Sequence, residues 1–242
     1  MMSLPKRLSL MSIALMLAAC VNAASDNNKA TKDALQKKFP ERTIESVRAT
    51  PIKGLYEVVF AGRQVVYSDP KGDYIVVGDL VDVAARQSLT EARIRELSKV
   101  DFKTLPLDKA IKLVKGNGSR KVAVFSDPDC PFCKRLETDT ISKLDNVTVY
   151  TFMLPLASLH PDAARKSALI WCAPDKLAAW NAWMLEGRLP QGDGKCANPV
   201  NDIVAMAERY GINGTPALVF ESGEMVSGAI AAPAFEAHLN KK

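Results

Sequence analysis

The sequence predicts two domains: a small α+β unit at the amino terminus, then a larger α/β domain with extra helices inserted in it. Two patterns carry this expectation. Between residues 43 and 77, short β-branched runs are separated by glycine and proline, the pattern of a small antiparallel sheet. Further on, Val122 to Phe125 reads as a buried strand, Cys130-Pro131-Phe132-Cys133 opens a helix-like segment, and Val147 to Phe152 reads as a second strand. Strand, helix and strand in that order make a βαβ unit, the element from which α/β sheets are built.

Residues 1–24 read as a secretory signal sequence: Lys6-Arg7, an apolar stretch from Leu8 to Ala19, then small residues. About a dozen apolar residues is short for a membrane span. Two processing routes fit. Val21-Asn22-Ala23 suits ordinary cleavage after Ala23, whereas Leu17-Ala18-Ala19-Cys20 suits a lipoprotein box that would leave Cys20 as a lipid anchor. Either route delivers the chain to an oxidising compartment, which the resemblance described below makes the periplasm.

The 25–87 domain begins with a helix from Ala30 to Phe39, with Ala34, Leu35 and Phe39 at helical spacing before Pro40. Strands follow at Thr43 to Ala49, Leu55 to Phe60, Val65 to Ser68 and Tyr74 to Val77, with turns at Ala61-Gly62-Arg63 and Asp69-Pro70-Lys71-Gly72-Asp73. About 60 residues make a marginal core. Pairing with a second copy would cover both the deficit and any open sheet edge. A linker helix is expected within 88–104, started by the capping-box residues Ser88 and Glu91.

The 105–242 domain opens with Ile111 to Val114 and Val122 to Phe125 around Gly116-Asn117-Gly118, which reads as a hairpin. After the βαβ unit come three helices: Pro161 to Trp171, Pro174 to Glu186 and Asn201 to Tyr210. Gly211-Ile212-Asn213-Gly214-Thr215-Pro216 leads to strands at Ala217 to Phe220 and Met225 to Ser227, and a helix from Pro233 to Leu239 closes the chain. Trp171, Trp180 and Trp183 fall at helical spacings and read as core.

The chain has 242 residues, 48% hydrophobic, with a net charge of +5 that falls to +3 once Lys6 and Arg7 leave with the signal. So small and scattered an excess does not point to nucleic acid. Of five cysteines, Cys20 belongs to the signal, leaving an even four, which in a secreted chain reads as disulfides. A four-cysteine zinc site would want a second closely spaced pair, and Cys172 and Cys196 stand 24 positions apart. No metal and no cofactor are expected.

Pro131 stands where a helix tolerates proline, its first turn, so Cys130 becomes the N-cap. Free N–H groups and the positive end of the helix dipole favour a thiolate there, and Cys-X-X-Cys cysteines at helix N-termini have pKa values lowered to about 3.5–7.5. Cys133, one turn on, is shielded yet within reach of Cys130. The pair reads as a redox dithiol, Cys130 attacking and Cys133 resolving. Asp127 reads first as a turn former, with proton transfer or tuning of the couple as its alternative. Lys134 and Arg135 read as solvated helix residues. His160 and His238 have no recognisable partner and read as surface or packing.

Strand, turn, CPFC and helix resemble the thioredoxin fold. FSDPDCPFCKRLE, with IWC around Cys172 and GINGTPALVF around Pro216, resembles the periplasmic disulfide isomerases of the DsbC/DsbG family. The resemblance implies a cystatin-like N-terminal dimerisation domain, a homodimer, and a thioredoxin fold with a helical insertion clipped by a structural Cys172–Cys196 disulfide. A second redox couple is the other reading of that pair. The resemblance also implies a cis Pro216 lying against the CxxC, with Thr215 offering its backbone to an extended substrate segment. The implied function is thiol:disulfide interchange that isomerises or reduces non-native disulfides in misfolded or mis-oxidised secreted proteins, kept reduced by a DsbD-type membrane reductant. CPFC departs from the CGYC of the isomerase branch toward the CPYC of the DsbG branch. Reduction of sulfenylated single cysteines, or chaperone-type binding with secondary redox activity, are therefore the alternative expectations.

Overall fold

A computed structural model describes residues 27 to 241. The expected signal sequence and both readings of Cys20 lie outside them. The chain divides into two compact units, the first ending at Leu97 and the second beginning at Ser98.

In the first unit, helix α1 (residues 27–38) precedes a four-stranded antiparallel sheet of β1 (Ile44–Ala49), β2 (Tyr56–Phe60), β3 (Gln64–Ser68) and β4 (Ile75–Val76), in that order. Alternation along the strands gives the sheet two apolar faces. Val58, Phe60 and Val66 pack with Leu35 of α1. Val59, Val65 and Tyr67 pack with Ile94 and Leu97 of α2 (Leu89–Leu97). A short hairpin, β5 (Val81–Asp82) and β6 (Gln87–Ser88), precedes α2. The Ser88 hydroxyl accepts from the Glu91 N–H at 2.9 Å, so the first half of the expected capping box is made. At the β3–β4 turn the Asp69 carboxylate accepts from the N–H groups of Lys71 and Tyr74. Gly72 there is required: its φ is +67°, and a Cβ would come within 2.8 Å of Leu35 Cδ2.

The second unit is built on a five-stranded sheet in the order β11 (Met225–Ser227), β10 (Ala217–Phe220), β8 (Arg120–Ser126), β9 (Val147–Met153), β7 (Ile111–Lys115). β8 and β9 are parallel and every other pair is antiparallel. The expected hairpin around Gly116-Asn117-Gly118 is not formed. β9 lies between β7 and β8, so the turn carries the chain past it. Local turn chemistry lost to burial: β8 is buried from Val122 onward and takes neighbours on both sides, leaving the alternating β7 at the edge.

Odd and even residues of the central strands face two cores. Val122, Val124, Val147 and Val149 meet Leu136 and Phe235, from α3 (Pro131–Asp139) and α7 (Ala232–Leu239). Ala123, Phe125, Tyr150 and Phe152 meet Ile203, Met206 and Ala207 of α6 (Val200–Arg209). Helices α4 (Ala163–Trp171) and α5 (Lys176–Glu186) form the insertion. Together with Met153 they enclose the cysteine end of α3 in a third cluster holding Ile170, Ala179, Trp180 and Met184. α5 is capped at one end by Asp175, whose side chain accepts from Ala178 N–H, and stopped at the other by Gly187 in the left-handed region. Cys172, at the end of α4, is bonded to Cys196 in the loop before α6, with Cα atoms 5.7 Å apart.

Candidate active site

The sheet's parallel pair ends where α3 begins. Cys130 is the N-cap of α3 in extended conformation, and Pro131 opens the first turn. Cys130 and Cys133 are both free thiols. They differ in reach: Cys133 is 0% exposed and Cys130 4%. The Cys130 thiol donates to the Thr215 carbonyl at 3.4 Å, across the loop that enters β10. The Thr215–Pro216 peptide is cis, and the Pro216 carbonyl accepts from Gly228 N–H at 2.7 Å. Residues 85 positions apart in sequence thus meet at one sulfur.

Burial pushes the Cys133 thiol up to about 12. The Ser126 hydroxyl, the Asp127 N–H (3.5 Å from the sulfur) and the Thr215 hydroxyl pull the other way, while the neighbouring Cys130 adds to the rise. At neutral pH Cys133 is therefore a protonated thiol held inside the protein. Phe132, between the two cysteines, is 54% exposed, so the motif's middle is a surface while its second sulfur is core.

Asp127 does form the expected turn, its carboxylate accepting from the Asp129 N–H at 2.7 Å. It does more than that. Its side chain is fully buried, and its second oxygen accepts from Leu156 N–H at 2.7 Å and faces His160 Nδ1 at 3.0 Å. The expectation that His160 has no partner is therefore corrected: it is tied to the carboxylate that leads into the dithiol. The partner lies 33 positions away, across β9, where no local pattern reveals it. His238 is corrected as well, since it bonds Glu224 at 2.8 Å and stacks on Phe220.

The tryptophans divide. Trp180 is core, and its indole N–H donates to Glu137 at 2.9 Å. Trp183 is half-buried and reads the turn before the dithiol, donating to the Pro128 carbonyl at 2.7 Å, with Lys134 and Lys166 stacked over its ring. Lys134 is thus a packed residue rather than a freely solvated one, and Lys166 pairs with Asp129 at 2.6 Å. Arg135 is exposed and lies over the Phe132 ring. Sequence reasoning passed over Glu137. Burial raises its carboxyl to about 7, against the Trp180 hydrogen bond that lowers it. Its position four residues after Cys133, on the same helix face, was the available signal.

Comparison with known proteins places this geometry. Residues 107–242 match the family model of a thioredoxin-like domain, and residues 22–91 match that of the disulfide bond isomerase protein N-terminal domain. A probable thiol:disulfide interchange protein DsbC of Bordetella pertussis is 42% identical over 211 residues, spanning 86% of this chain and 74% of that one. The chain belongs to the DsbC family of thiol:disulfide interchange proteins. The DsbC of Escherichia coli is 27% identical over 218 residues, covering 88% of this chain and 89% of its own. A solved disulfide interchange protein from Neisseria gonorrhoeae is 54% identical with a TM-score of 0.53, covering 56% of this chain and 96% of its own. As a member of the DsbC family, the chain is a disulfide isomerase acting by thiol–disulfide interchange, with an antiparallel-sheet domain before its thioredoxin-like domain. Among the described residues, no helix is long and apolar enough to cross a membrane and no cluster of side chains could hold a metal.

Proposed function

We propose that Cys130 is the attacking sulfur and Cys133 the resolving one, acting on non-native disulfides of secreted proteins. The Cys130 thiolate attacks one sulfur of a substrate disulfide, forming a mixed disulfide and releasing the other substrate sulfur. A substrate thiol then attacks the mixed bond, giving a rearranged disulfide and restoring Cys130. Alternatively Cys133 attacks Cys130, and the substrate leaves with both sulfurs reduced. The observation that carries this order is the asymmetry of the pair, a helix N-cap sulfur beside the Thr215 carbonyl against a sealed, protonated partner. A substrate sulfur bonded to Cys130 would lie beside Pro216 and along Thr215, whose backbone N–H and C=O can pair with an extended segment.

A reduced Cys130 in an oxidising compartment needs a source of electrons, for which a DsbD-type membrane reductant facing the periplasm is the partner proposed. A homodimer joined through the first unit is supported by its exposed apolar run: Tyr74, Val76, Val77, Val81 and Val83 all stand out to solvent. Val77→Asp with Val83→Asp should convert a dimer to a monomer in analytical ultracentrifugation. Recovery of scrambled ribonuclease tests the cysteine assignment. Wild type should restore activity, Cys130→Ala should not, and Cys133→Ala should retain rearrangement while losing net reduction. Recovery undiminished in Cys130→Ala would point instead to chaperone-type binding.

A further inference from the structure

Two hydroxyls beside the dithiol have no ordinary partner. Among the described residues, Ser126 Oγ and Thr215 Oγ1 are both closed off from solvent and neither has a hydrogen-bond partner. Buried hydroxyls are as a rule satisfied, because an unpaired one forfeits its water contacts for nothing. Both bear on the Cys133 thiol, pulling it down against the burial that raises it. Ser126 is the last residue of β8, and strand alternation turns its side chain to the face of Val122 and Val124, which α3 covers. Thr215 comes from the opposite direction, on the loop entering β10. The Asp127 N–H makes a third donor, 3.5 Å from the sulfur.

Toward a neutral thiol these donors gain little, since sulfur in that state is a weak acceptor. Toward a thiolate they gain much, because hydrogen bonds to an ion are roughly twice as strong as neutral ones. The arrangement is thus mismatched to the thiol that burial enforces and matched to the anion that must form when Cys133 acts. We propose that the hydroxyls of Ser126 and Thr215 are the hydrogen-bond donors that stabilise the Cys133 thiolate during resolution, and that they thereby set how often a mixed disulfide ends in reduction rather than rearrangement.

Cys133 gives up its proton and attacks the Cys130 sulfur, forming the Cys130–Cys133 bond. The bond from Cys130 to the substrate sulfur breaks, and that sulfur leaves with the electron pair and takes up a proton. The substrate disulfide has gained two electrons and the dithiol has lost two. Without the donors Cys133 would stay a thiol for longer, and the mixed disulfide would wait for a substrate thiol. Thr215 therefore has two separable parts, a backbone offered to substrate and a side chain offered to Cys133.

The proposal rests on the assignment of Cys130 and Cys133 made above, and one titration separates the two claims. An aromatic disulfide such as Ellman's reagent releases one coloured thiolate when Cys130 attacks it and a second when Cys133 resolves the adduct. In Ser126→Ala and in Thr215→Val the ratio of second-phase to first-phase rate should fall about tenfold each, the scale of a hydrogen bond to a charged group. The pH midpoint of the second phase should move upward. Ser126→Thr and Thr215→Ser, which keep a hydroxyl, should stay near the wild-type ratio, an outcome a purely structural role would not produce. Wild-type ratios in both hydroxyl-free variants would overturn the proposal. Should Ser126→Ala fail to fold, Thr215→Val decides alone. A wild type releasing no second equivalent, or a Cys130→Ala variant releasing a first equivalent at the wild-type rate, would overturn the cysteine assignment and the proposal with it.

Discussion

The two cysteine pairs of the second unit occupy opposite ends of helices. Cys130 caps the N-terminus of α3, and its partner Cys133 is three residues away in a sealed apolar cluster. Cys172 ends α4, and its partner Cys196 lies 24 residues on in an exposed loop. A helix N-terminus carries unpaired N–H groups and partial positive charge; a C-terminus carries unpaired carbonyls and partial negative charge. The first end favours a negative charge placed beside it and the second disfavours one. Place along a helix, more than the residue itself, sets what a sulfur there can do.

Exchanging what each pair is asked to do should produce unequal losses. Cys130→Ser should reduce interchange to the background of the redox buffer in an insulin-reduction assay, while far-UV circular dichroism stays native. Losing the other pair, in Cys172→Ala with Cys196→Ala, should cost about 3–4 kcal/mol of stability in urea unfolding, the loop-closure value for roughly 25 residues. The variant should still react at Cys130. Equal damage to activity from both changes would erase the contrast.

Glu137 sharpens it from another side. Its carboxyl is raised to about 7 from an ordinary value of 4.5. Between those values the folded state binds the proton that the unfolded state has lost, so stability declines as pH rises from about 4.5 to about 7 and is level above that. The decline attributable to this group is at most about 3 kcal/mol. Glu137→Gln keeps an acceptor for the Trp180 indole and should remove the decline, leaving the variant the more stable protein at pH 8. The smallest effect is expected at His160. His160→Ala removes one bond to Asp127 but leaves the Asp129 and Leu156 N–H groups holding that carboxylate, at a cost of about 1 kcal/mol.

How much of this could be read from the chain varies with the range of the interaction. The CxxC helix, its proline and the strands on either side follow from one continuous stretch between β8 and β9, and local pattern places them. The helical insertion was equally legible, because Pro174, Asp175 and Gly187 are start and stop signals. The separation of β7 from β8 by β9 is not legible in the chain, since turn residues report a reversal but not which strand lies beside which. Asp127 with His160, Glu137 with Trp180, and Ser126 with Cys133 were not legible as pairs. Each joins residues on different elements and depends on the strand order, which no single segment encodes.

The most direct test of the account is to catch the mixed disulfide. Cys133→Ala, incubated with scrambled ribonuclease and quenched in acid, should accumulate a covalent complex that peptide mass spectrometry maps to Cys130. Cys130→Ala should accumulate none. A complex mapped to Cys133, or equal trapping by the two variants, would contradict the assignment of attack to the sulfur at the head of α3.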